Sequence, residues 1–178
     1  MSKQLQSDFD KLVKTSKFSS EEIKFKKNFL NNFIKNGFPN RKQEDWKFLD
    51  ISQIIKKNIS DLSFFNDYSQ SNKIDLSVLV DGLEHNKIIF INGKIEKIDF
   101  NFEDQKKIEI IDETKKDISF NYENSLIDLN SAFIDKIFKI LIKKNYSLKK
   151  PLIIYHLTND KIKSTNINLR LDFELGEN

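Results

Sequence analysis

Ile88-Ile89-Phe90-Ile91-Asn92-Gly93-Lys94-Ile95 is the stretch at which the chain changes character. Two short apolar runs joined by Asn-Gly predict a β-hairpin, because that pair tolerates the two positive φ angles of a type I′ turn. Well before it, apolar residues recur with a helical period of 3.6; after it they come in short runs and alternations. The segment therefore marks the passage from a helical beginning to a β-rich remainder.

Working back toward the start, Leu5, Phe9, Leu12 and Val13 form one stripe of a helix. A second helix opens on the capping box Ser19-x-x-Glu22, whose hydroxyl and carboxylate satisfy two orphan N–H groups. Its apolar face is Ile23, Phe25, Phe29, Leu30, Phe33 and Ile34. Gly37 stands where a left-handed residue closes a helix, and Pro39 forbids continuation. A short third helix follows, with Asp50-x-x-Gln53 as its box and Ile51, Ile54 and Ile55 inward. Residues 58–86 are rich in Ser, Asn and Asp and read as a linker with a turn or two of helix.

Beyond the hairpin, Ile108, Ile110 and Ile111 predict a strand, and Leu126, Leu129, Phe133 and Ile137 a helix of two to three turns. Three further strands are expected at Phe138–Ile142, Leu152–Leu157 and Ile167–Leu175. Pro151 opens the second of them, where its missing N–H does least harm. In the third, Ile167, Leu169, Leu171, Phe173 and Leu175 alternate with polar residues, so one face is buried and the other wet. Gly176 then allows a sharp corner. Two readings of this ending stand side by side: an edge strand that packs back on earlier elements, or the opening of a longer β-rich repeat.

Composition narrows the function classes. Sixteen Phe and 25 Ile among 178 residues predict a packed core, although charged residues make up 32%. The single Ala, 28 Lys and 19 Asn suggest an AT-rich genome, which weakens lysine content as a functional signal. With no Cys, the chain has no disulfide framework, thiolate nucleophile or cysteine-ligated cluster of its own. His85 and His156 cannot form an HExxH pair. The longest stretch without charge, Pro151–Asn159, is far shorter than the ~20 residues that span a bilayer. The first residues carry acids and no apolar run, so no signal peptide is expected and the cytoplasm is the expected compartment.

The net charge of +3 hides a basic head and tail around an acidic middle: +6 over residues 1–60, −7 over 61–128 and +4 over 129–178. Such halves neutralise one another on folding, whereas a nucleic-acid module keeps its positive field on one face. Only two of the 30 cations are Arg. Pairs such as Lys26-Lys27 and Lys143-Lys144 read as solvated surface.

Asn36-Gly37-Phe38-Pro39-Asn40-Arg41-Lys42-Gln43-Glu44-Asp45-Trp46-Lys47-Phe48 resembles a signature of the SufD branch of the SufB/SufD family, roughly Gly-x-Pro-x-Arg-Lys-x-Glu-x-Trp-Lys-Tyr. Gly37, Pro39, Arg41, Lys42, Glu44, Trp46 and Lys47 match it, and Phe48 stands where Tyr is usual. Ile88–Lys94 is similar to the family's hairpin, Leu129-Asn130-x-Ala132 to its Leu-Asn/Thr-x-Ala/Ser helix, and Lys150–His156 to its Lys-Pro strand ending in His. The four matches are collinear and cover about residues 20–176.

The resemblance implies an α+β fold, an N-terminal helical region followed by the beginning of a right-handed parallel β-helix. Its expected divisions are residues 1–60 for the helices, 61–125 for a linker with the hairpin, and 126–178 for the first strands of the β-helix. It implies a scaffold subunit of the SUF iron–sulfur cluster assembly machinery, partnered by a SufB-like subunit and a SufC-like ABC ATPase. By this resemblance the chain is expected to be the N-terminal part of such a subunit. No cofactor is expected on this chain alone; an iron–sulfur cluster enters only in the full complex. No catalytic and no metal-ligating residue is expected.

The individual residues carry modest expectations of their own. Trp46 is expected to plug a seam between helices, with docking of a partner as the other role. Arg41 and Glu44, three apart, can form a local ion pair. His156 reads as a hydrogen-bonded core histidine and His85 as solvent-facing. Glu103-Asp104 and Asp112-Glu113 lack the Gly and spacing of a calcium loop. The competing function is a small basic module binding nucleic acid or another polyanion. If the chain is part of a longer β-rich repeat, the uncovered strand near Leu169–Leu175 further predicts self-association.

Overall fold

The computed structural model describes residues 1–59, 62–65, 76–112, 124–158 and 165–176. They belong to two compact units. The first is helical and comprises Met1–Asn66, Lys115–Asp135 and Ser164–Asn168; the second is built from strands and comprises Asp67–Thr114, Lys136–Lys163 and Leu169–Asn178.

The helical unit contains α1 (Ser2–Thr15), α2 (Ser20–Asn36), α3 (Ile51–Asn58) and α4 (Ser125–Phe133). The start of α2 is held as its sequence predicts: Ser19 Oγ accepts from Glu22 N at 3.2 Å, and Ser19 N donates to Glu22 Oε2 at 2.7 Å. Asp50 caps α3 through Gln53 N at 2.9 Å. Leu5, Phe9 and Leu12 of α1 meet Leu30 and Phe33 of α2 and Phe133 of α4 in one apolar cluster. Phe9 and Phe133 pack edge to face at 6.1 Å, a geometry that aligns ring edge with ring face. Ala132 is fully buried on α4, the helix that packs against α2. Phe64, within the expected linker, joins the same cluster.

Two assignments on these helices change. Phe25 is 40% exposed and Ile54 is 45% exposed, so neither points inward, while Lys26 is buried. Ile137 belongs to a strand, and α4 ends at Phe133.

The second unit holds β1 (Asn86–Ile91), β2 (Lys94–Asp99), β3 (Ile108–Asp112), β4 (Ile137–Ile142), β5 (Leu152–Leu157) and β6 (Arg170–Leu175). Asn92 at φ 52° and Gly93 at φ 83° close the β1–β2 hairpin in the conformation that the Asn-Gly pair predicts. The strands form two three-stranded mixed sheets, ordered β2-β1-β5 and β3-β4-β6. Each has one antiparallel and one parallel pairing: β1 with β2 and β4 with β3 are antiparallel, β1 with β5 and β4 with β6 parallel. Ile88 and Phe90 of β1 share an apolar cluster with Ile140 and Ile142 of β4.

This arrangement corrects the expected right-handed parallel β-helix. The described strands make short mixed sheets, and β2 and β3 run antiparallel to their only sheet neighbours. The physical reason lies partly in the hairpin, since a two-residue turn can join only antiparallel strands. The expected nine-residue strand at Ile167–Leu175 is also shorter, beginning at Arg170. Thr165 bridges to Ser63, and Asn166 N donates to Ser63 O at 2.8 Å, so residues 165–168 cluster with the helical unit instead. Phe173 and Leu175, assigned to a buried face, are 44% and 67% exposed. Gly176 turns no corner through positive φ; a Cβ there would lie 2.7 Å from Lys144 Cα, so glycine is required by close approach.

Candidate functional site

The segment from Gly37 to Phe48 is built as a sharp exit from α2 followed by an exposed turn. Gly37 adopts φ 69° and ψ −168°, a conformation open essentially only to glycine, and its N–H donates to Phe33 O at 2.7 Å. The chain then drops Phe38 onto Phe33, edge to face at 5.0 Å, and buries Pro39. Gly37, Phe38 and Pro39 are therefore the anchor. Asn40 Oδ1 accepts from Lys42 N at 3.0 Å, and Asn40 O accepts from Gln43 N at 3.1 Å, which reverses the chain into the 3-10 turn Glu44–Trp46.

Beyond the anchor the motif faces water. Arg41, Lys42, Glu44 and Lys47 are exposed. Glu44 pairs with Lys47 at 2.6 Å rather than with Arg41, and both partners are largely solvated, so the bridge contributes little to stability. Trp46 is half-buried in the turn and lies outside the apolar cluster of the helices, so it does not plug a seam between them. Phe48 is 86% exposed, with the Lys47 ammonium 5.3 Å from its ring centre. Leu49 and Ile54 are also open to solvent. The turn and the following α3 thus present one aromatic ring and two aliphatic side chains to solvent, a composition suited to contact with another macromolecule.

The buried polar centres lie elsewhere, and sequence reasoning missed them. Glu103, read above as one of two adjacent surface acids, is 7% exposed. It accepts from Asn86 Nδ2 at 2.7 Å, Tyr146 Oη at 2.7 Å, Lys149 N at 3.0 Å and Lys150 N at 3.1 Å. Burial alone would raise its pKa, but these donors outweigh it and bring the carboxyl down to about 2. Its neighbour Asp104 is exposed. Glu113 lies outside the described residues. Lys26 donates to Ser131 O and to Ile134 O at the end of α4, where a cation suits the helix dipole. Burial pushes its ammonium down to about 8, against the pull of Asp135 and Glu22. No signal short of knowing which elements pack together would have singled out either residue.

The two histidines exchange the environments expected of them. His85 is 4% exposed, whereas His156 is exposed and stacks on Phe90 at 5.0 Å. His85 Nδ1–H donates to Leu83 O at 2.6 Å, because a carbonyl can only accept. Nε2 and the Tyr155 hydroxyl share a hydrogen bond at 2.8 Å, and that oxygen accepts from Val80 N at 3.2 Å. The relay ties the segment before β1 to β5 and gives both side chains structural partners. Among the described residues, no group of His, Asp and Glu is arranged to hold a metal ion. No helix of the described residues is long and apolar enough to cross a membrane.

No protein-family model and no curated protein matches this chain.

Proposed function

We propose that this chain is a scaffold element that works by protein–protein contact, a SufD-like accessory of iron–sulfur cluster assembly with SufB-like and SufC-like partners. The observation that carries the proposal is Phe48, held outward by a turn whose base, Gly37 to Pro39, is fixed to the helical core. The same turn bears the residues of the SufD-like signature. A rigid base with an exposed aromatic tip is an arrangement for docking. In this reading the cluster is cargo of the whole complex, the compartment is the cytoplasm, and this chain performs no chemistry unaided.

The polyanion reading has less support. Lys11, Lys47, Lys97, Lys139, Lys143 and Lys150 each pair with a carboxylate, which neutralises positive charge within the fold. The test is co-expression with the SufB-like and SufC-like proteins of the same organism and measurement of the isolated complex. Burying Phe48 at an interface is worth roughly 1.5–3 kcal/mol, so Phe48→Ser should weaken binding about ten- to a hundredfold. Failure of the unaltered chain to bind either partner would overturn the SufD-like reading. Binding that Phe48→Ser and Trp46→Ala leave unchanged would overturn the docking segment.

A further inference from the structure

We propose that the outer edge of β6 pairs antiparallel with the same edge of a second copy of this chain, about a twofold axis through Asp172. This goes beyond the scaffold reading and does not depend on it.

Among the described residues β6 is the last strand of its sheet. Gly176 N–H donates to Ile142 O at 2.8 Å, so that amide faces β4. Backbone groups alternate along an extended strand, and those of Leu171, Phe173 and Leu175 therefore point away from β4. The register sets these three beside Phe138, Ile140 and Ile142 of β4. Ile140 and Ile142 are buried, whereas Phe173 is 44% and Leu175 is 67% exposed. Among the described residues the sheet thus ends on outward-facing amides flanked by uncovered apolar side chains.

The sequence of β6 selects its occupant. In an antiparallel pair, residues directly opposite share a face, so only registers with an even index sum keep apolar against apolar. Centring on Asp172 places Arg170 opposite Glu174 of the second copy, which Arg170 would share with that copy's Lys139, and Leu171 opposite its Phe173, each pair occurring twice. Centring on Phe173 instead sets Asp172 opposite Glu174 twice, which repels. The first register has one defect, Asp172 opposite Asp172 on the axis, and Arg170 Nε at 2.7 Å from Asp172 Oδ1 moderates it. The other sheet edges are less suited. β3 carries only acids as charged residues, so it has no cation to set against them. β2 carries Lys94, Glu96, Lys97 and Asp99 in balanced charge, but its ladder with β1 has a register shift at Ile89/Phe90, an irregularity that blunts an edge. β5 begins directly after Pro151 and its Tyr155 is tied to the segment before β1.

A pair of six-residue strands buries well under the ~1,200 Å² of a standard interface, so association is expected at roughly 0.1–1 mM chain. Sedimentation of the full chain over that range tests it, with far-UV circular dichroism confirming that each variant is folded. Arg170→Glu and Glu174→Arg should each weaken the dimer roughly tenfold or more, and the double exchange should restore it. Asp172→Asn, which removes the like-charge contact on the axis, should tighten it. A chain that stays monomeric at 1 mM overturns the proposal. So does a dimer that the single exchanges leave intact, or one that the double exchange fails to restore.

Discussion

Replacing Glu103 by glutamine keeps the size of the side chain and removes the charge on which four donors converge. Two of those donors are the consecutive amides of Lys149 and Lys150, which lead into β5, and a third is Asn86, the first residue of β1. The carboxylate therefore holds the approach to β5 against the start of β1. Its pKa falls from an ordinary 4.5 to about 2, which links roughly 3 kcal/mol of folding stability to its ionisation at 1.36 kcal/mol per pH unit. The folded value is the lower one, so this stability is present in full above pH 4.5 and is lost as pH falls toward 2. Glu103→Gln should thus cost about 3 kcal/mol at pH 7, a fall of roughly 6–12 °C in melting temperature for a chain of this size. The assay is denaturant unfolding of both proteins at several pH values between 7 and 2. Every other carboxyl is common to the two, so their difference isolates this one. It should shrink from about 3 kcal/mol at neutral pH toward zero near pH 2. A difference that stays the same at pH 3 as at pH 7 would refute the reasoning.

Lys26 gives the opposite end of the pH scale: its folded value of about 8 lies below 10.5, so the cost of burying the charge is relieved as pH rises from 8 to 10.5. Relative to Lys26→Met, the unaltered chain should gain up to about 3 kcal/mol over that window, read by denaturation at pH 7 and pH 10.5. Gly176→Ala should destabilise by roughly 1–3 kcal/mol, because its Cβ would press on the backbone of Lys143 and Lys144, and hydrogen exchange at the Ile142–Gly176 junction should report it. Asp8 is fully buried and accepts from Phe64 N, Lys11 Nζ and Gln4 Nε2, each at 3.0 Å. Burial pushes its pKa up, but these donors prevail and lower it. Asp8→Ala should therefore cost roughly 1–3 kcal/mol and speed exchange of the Phe64 amide.

Where the reading of the sequence succeeded, the determinants lie within a few residues of one another. The box at Ser19 and Glu22, the stop at Gly37 and the Asn92-Gly93 turn are each decided by groups three or fewer positions apart. Their chemistry does not depend on what the rest of the chain does. Pairing is another matter. Ile88–Ile91 announces a strand, but nothing in it says that its parallel neighbour will be Leu152–Leu157 or that its sheet will stop at three strands. The β-helix expectation came from resemblance, and the antiparallel pairings of β2 and β3 overturn it.

The same division explains the charged residues. Apolar spacing puts Phe25 on the inner face of α2, and the Lys26-Lys27 pair reads as solvated surface. The carbonyls of Ser131 and Ile134 reverse that order, since they leave the end of α4 in need of a donor on α2. Glu103 is the stronger case. Beside Asp104 it reads as one of two surface acids, and only folding brings Asn86, Tyr146 and the Lys149–Lys150 amides around it. The exposed turn at Phe48 is intermediate. Its anchor is legible from Gly37 and Pro39, whereas the exposure of Phe48 depends on which residues the fold leaves uncovered. Local chemistry thus sets where elements begin and end, while the long-range partners of single side chains decide which residues are left to face another molecule.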